Sequence, residues 1–73
     1  MTTEYLRLHD AIKQMEVPNV GVELEITGEL RDAMYRLTIW YKFGGGYFGI
    51  YDDAMKLIAK TYEDLYGEVR EEQ

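Results

Sequence analysis

Glu23 and Glu25 are the carboxylate pair whose spacing comes nearest to chemistry, because residues two apart on a strand project from the same face. Paired acids do general acid and base work only where a cleft drives their pKa values apart, and a flat strand offers no cleft. The chain has no serine and no cysteine, and His9 is its only histidine, so the usual nucleophile and base pairs are missing. His9 falls at the edge of an apolar stripe, the place of a packed histidine rather than a ligand. Glu23, Glu25 and Glu29 offer oxygens to a hard cation, but no calcium-loop pattern accompanies them and strand carboxylates at this spacing face water. Gly44, Gly45 and Gly46 are followed by a short apolar segment, not by the lysine, serine and helix start of a phosphate loop, so they read as a hairpin turn. No enzymatic activity, metal or cofactor is expected.

The elements that would position these residues follow from their periodicity. Thr2 and Thr3 can cap a first helix whose Tyr5, Leu8, Ala11, Ile12 and Met15 share one face, and Pro18 closes it. Val20, Val22, Leu24 and Ile26 alternate with Gly21, Glu23, Glu25 and Thr27 at the period of a half-buried strand. A second alternating run, Tyr35, Leu37, Ile39, Tyr41 and Phe43, pairs with it if the turn is centred on Arg31 and Asp32. A two-residue turn at Gly44 and Gly45 returns Tyr47 to Tyr51 as a third strand, with Phe48 and Ile50 on the buried face. Asp52 then caps a last helix with Ala54, Leu57, Ile58, Thr61, Tyr62 and Leu65 inward, while Met55, Tyr62 and Tyr66 make a second seam. The predicted fold is α+β, in the order α-β-β-β-α: a three-stranded antiparallel meander with both helices on one face, forming a single domain over 1–73 with 68–73 as a solvated acidic tail.

That arrangement leaves Trp40 on the polar side of its strand, opposite Gly49 and between Tyr47 and Tyr51, with Arg36 and Lys42 beside it. A glycine across from a large ring lets the ring lie flat over the backbone, so the chain itself can cover the tryptophan. Left uncovered, Trp40, Tyr47 and Tyr51 form an aromatic patch of the residue types that dominate binding hot spots, bordered by Arg36, Lys42, Glu23 and Glu25. A three-residue glycine loop would dissolve that patch.

Seventy-three residues allow one modest core, and the lack of cysteine leaves it without disulfide staples. No apolar run reaches membrane-spanning length and Met1 to Met15 lacks the blocks of a secretion signal, so a cytoplasmic protein is expected. Of the net charge of −6, residues 52–73 carry −4. Such a surface repels phosphates and attracts basic partners, which disfavours direct nucleic-acid binding.

The predicted element order and size resemble a double-stranded RNA-binding domain, whose last helix opens with a lysine cluster; Asp52 and Asp53 stand there instead, which implies shared topology without the phosphate grip. Tyr47, Phe48, Gly49, Ile50, Tyr51 and Asp52 with the following helix are similar to the strand-to-helix junction of AP2-type DNA-binding domains, although Glu23, Glu25 and Glu29 lie where DNA would sit. In profile the small, acidic, cysteine-free chain resembles phage-encoded inhibitors of host defence, of the anti-CRISPR or anti-restriction type. That resemblance implies a non-enzymatic inhibitor in the host cytoplasm that binds a host protein or nucleoprotein complex through its basic surface. Asp52, Asp53, Glu63, Asp64, Glu68, Glu71 and Glu72 would then be the phosphate mimics. Two other uses compete: stacking of single-stranded nucleic acid on the aromatic face, and a symmetric homodimer that buries Trp40.

Overall fold

The two alternating runs are helices. In the computed structural model, which describes residues 3–67, four helices follow one another: α1 (Thr3–Gln14), α2 (Val20–Thr27), α3 (Leu30–Lys42) and α4 (Phe48–Tyr66). No strand occurs among the described residues, so the α+β meander, its hairpin registers and both resemblances built on a sheet are overturned. Glu68, Glu71 and Glu72, with the expected tail, lie outside the described residues.

The correction has a geometric cause. Four alternating apolar residues on a helix split into two i, i+4 pairs on roughly opposite faces. Val20 and Leu24 form the inward pair of α2 and are fully buried, whereas Val22 and Ile26 form the outward pair and are exposed. In α3 the buried stripe is helical and mixes odd and even positions: Leu30, Ala33 and Leu37 are buried, with Met34 and Trp40 packed beside them at i+4 and i+10 from Leu30. Tyr35 and Phe43, assigned to a buried sheet face by the alternating pattern, are exposed instead. Arg31 and Asp32, expected at the turn, lie in the first turn of α3.

The real corner falls at Gly28 and Glu29. Gly28 adopts a left-handed conformation (φ 67°) and its N–H donates to the Leu24 carbonyl at 3.0 Å, ending α2 as helix-terminal glycines do. The Thr27 hydroxyl donates to the Glu23 carbonyl at 2.9 Å and accepts the Glu29 N–H at 3.2 Å, closing the corner with side-chain bonds. Upstream, Glu16 and Asn19 both take positive φ around the buried Val17, folding α1 sharply onto α2.

The helices at the two ends of the chain fall where their spacing places them, although α4 starts at Phe48 and absorbs the segment expected as a third strand. Each helix packs against its neighbour in the chain, and α1 closes the ring by packing on α4. Tyr5, Leu8 and Ile12 of α1, Leu24 of α2, Leu37 of α3 and Ile58 of α4 fill the centre.

Tyr5 ties α1 to α2 through its hydroxyl, which donates to the Leu24 carbonyl at 3.0 Å inside the core. Burial pushes this hydroxyl's pKa above the usual tyrosine value, and the nearby Tyr66 and Glu29 act in the same direction. The folded state therefore favours protonated Tyr5. Its contribution is complete below the unfolded pKa of about 10 and is lost as pH rises through the higher folded value. Urea midpoints should fall above about pH 10. Tyr5→Phe should cost about 1 kcal/mol at neutral pH and flatten that alkaline limb. An alkaline limb unchanged in Tyr5→Phe would assign the effect to another group.

Candidate protein-interaction surface

The connection from α3 to α4 is built around Trp40. Its carbonyl accepts the Gly45 N–H at 2.7 Å, which turns the loop back over its own indole. A Cβ on Gly45 would meet the pyrrole edge of the ring and come within 2.7 Å of the Trp40 carbonyl oxygen, and one on Gly46 would overlap the benzene edge. Bare backbone is the one covering that fits. Trp40 is thus half-buried by its own chain, but its partners are Gly45 and Gly46; Gly49 has no atom within 4 Å of where a side chain would begin.

Folding that loop back leaves an aromatic elbow where α4 begins. Tyr41 stacks on Tyr51 with ring centroids 4.3 Å apart, and Phe48 tilts against Tyr41 at 6.4 Å. Phe43, Tyr47 and Phe48 are 80%, 78% and 69% exposed, so three large rings at one corner have little of their own chain to cover them. Phe43 and Phe48 escaped the sequence reasoning, which placed both inside a sheet. Helical spacing carries part of the signal for Phe43: it caps the end of α3, and continuing the helical register sets it roughly 120° around from Leu37, off the buried stripe.

The other expected site residues disperse. Tyr47 and Tyr51 both belong to the elbow, whereas Trp40 lies beneath the loop. Glu23 reaches Arg36 of α3, with Oε1 3.3 Å from Nε, while Glu25 points the other way, its Oε1 4.0 Å from His9 Nε2 on α1. One strand face would have held the two glutamates together; a helix sets them roughly 200° apart, so they form no carboxylate pair. Lys42 is exposed in the last turn of α3.

On α4 the acids are interleaved with lysines. Asp52 meets Lys56 at 3.3 Å and Asp64 meets Lys60 at 3.7 Å, whereas Asp53 and Glu63 have no ion pair among the described residues. This helix does not present an unbroken row of negative charge.

A second feature lies along the α3–α4 seam. Arg31, Met34, Lys56, Ala59, Lys60, Tyr62 and Glu63 line an open groove of about 780 Å³. Arg31 Nη2 donates to the Tyr62 hydroxyl at 3.3 Å, with its guanidinium carbon 6.0 Å from that ring's centroid. The hydrogen bond to Tyr62 pushes the guanidinium pKa further above its already high ordinary value. No group of three or more metal-ligating side chains occurs among the described residues, and none of their helices is long and apolar enough to cross a membrane.

The fold and its exposed corner define a four-helix domain with an aromatic elbow. Comparison with protein-family models, curated proteins and solved structures finds no match to this chain.

Proposed function

We propose that this chain is a non-enzymatic protein-binding inhibitor that docks through the aromatic elbow at the start of α4 and covers a basic, nucleic-acid-binding surface of its target. The exposure of Phe43, Tyr47 and Phe48, which flank the one loop between α3 and α4, carries the proposal, because exposed apolar surface marks interaction sites and aromatic rings are enriched at interfaces. The net charge of −6 supports a basic target by speeding encounter. With two α4 acids matched by lysines, long-range attraction and aromatic burial carry more of the binding than residue-by-residue phosphate mimicry. An anti-CRISPR or anti-restriction role rests on profile: a short acidic chain without serine or cysteine.

Affinity capture from host lysate with the wild type and a Phe43→Ser/Tyr47→Ser variant tests the contact surface. The retained protein should bind the variant at least about 30-fold more weakly, the scale of losing hot-spot residues. Equal retention by a variant with unchanged circular dichroism would refute the elbow. The inhibitory step has its own readout: phage plaquing on a CRISPR- or restriction-proficient host expressing the chain, where unchanged plaquing refutes inhibition. Salt-sensitive binding of single-stranded nucleic acid in a mobility assay would favour the stacking function instead.

A further inference from the structure

We infer that the α3–α4 groove is a second docking site and takes an acidic amphipathic helix of a partner protein. Its floor is apolar, made of Met34, Ala59 and the Tyr62 ring, while Arg31, Lys56 and Lys60 stand around it with Glu63 as the one acid. Among the lining side chains cations outnumber acids three to one, on a chain whose net charge is −6, with Asp52 and Asp64 pairing the two lysines from beside the groove. Glu29 lies in the neighbouring hollow with Arg31, Tyr62 and Tyr66, outside the groove.

Charge complementarity selects the occupant. Lys56 and Lys60 are one helical turn apart, so glutamates one turn apart on an incoming helix can meet both while its apolar face covers Met34 and Ala59. The present partners of the two lysines, Asp52 and Asp64, are exposed i, i+4 ion pairs, and such pairs are weak enough to be exchanged. Arg31 is held over Tyr62 by its hydrogen bond, which fixes a third cation at the other wall. A nucleic acid would meet the same cations, but the apolar floor offers its phosphates nothing and the rest of the surface repels them.

The site stands apart from the aromatic elbow and is tested separately. Fluorescence anisotropy with the intact protein would compare two labelled helical peptides of about fourteen residues sharing one leucine stripe, one flanked by glutamate and the other by lysine. The glutamate peptide should bind at least about tenfold more tightly and weaken with salt. Lys56→Glu/Lys60→Glu, both exposed on the helix surface, should abolish that preference, whereas Phe43→Ser/Tyr47→Ser should leave it intact. Equal binding of the two peptides, absence of binding, or loss through the elbow variant alone would each overturn the inference. So would a concentration-dependent increase in mass abolished by Lys56→Glu/Lys60→Glu, which would make a second copy of this chain the occupant, or displacement of the glutamate peptide by single-stranded nucleic acid.

Discussion

Leu37→Ala is expected to lower the unfolding free energy by about 2–5 kcal/mol, whereas Ile26→Lys should change it by no more than about 0.5 kcal/mol. Leu37 is fully buried among the four helices, so truncation loses its transfer free energy and leaves a cavity. At about 0.05–0.15 kcal/mol per residue, a chain of this length has only about 4–11 kcal/mol to lose. Ile26 is 75% exposed on the outward face of α2, where a lysine stem costs nothing in packing. The pair separates the two architectures, because in the alternating-strand arrangement Ile26 and Leu37 face each other in the core and both substitutions unfold the domain. Urea melts followed at 222 nm read the difference directly. A collapse of Ile26→Lys would reject the helical α2.

Gly46→Val is the second large effect, expected at about 1–3 kcal/mol with a red shift in tryptophan emission. A Cβ at this position overlaps the Trp40 benzene edge, so either the ring leaves its half-buried site or the loop lifts and opens the elbow. Gly49→Ala is the matching control. That position lies in the first turn of α4 with open space around it, and alanine there should be neutral or stabilising by up to about 1 kcal/mol. Equal effects from the two substitutions would mean that the loop does not rest on the indole. Because the loop positions Tyr47, Gly46→Val should also weaken any partner held by the elbow.

How much of this was legible beforehand differs between the ends and the middle of the chain. Tyr5, Leu8 and Ile12, and likewise Ala54, Ile58 and Thr61, recur at helical spacing only, and they are buried in α1 and α4. The middle satisfies two periods at once. Val20, Val22, Leu24 and Ile26 alternate, yet Val20 and Leu24 are also one helical turn apart; Leu30, Ala33, Leu37 and Trp40 make a helical stripe that shares Leu37 with the alternating run from Tyr35 to Phe43. β-branched and aromatic residues tip local propensity toward strands, but they are weak preferences that packing overrides. Trp40 looked anomalous on a strand and is ordinary on a helix, where it packs beside the core. The link between that tryptophan and the glycines was legible in kind, but which glycines cover it depends on a loop that exists only if α3 is helical.

By itself the sequence determined a small acidic chain with a helix toward each end and no serine or cysteine, because these depend on composition and on patterns with one solution; whether glycine covers Trp40 it left open. Tertiary structure decided the rest: that the middle is helical, that Glu23 and Glu25 part toward different neighbours, and that Phe43, Tyr47 and Phe48 gather at one exposed corner. An apolar run that fits two periods becomes a helix or a strand according to what lies against it. Here α1 and α4 close a ring that buries Leu24 and Leu37 together, and that packing selects the helices.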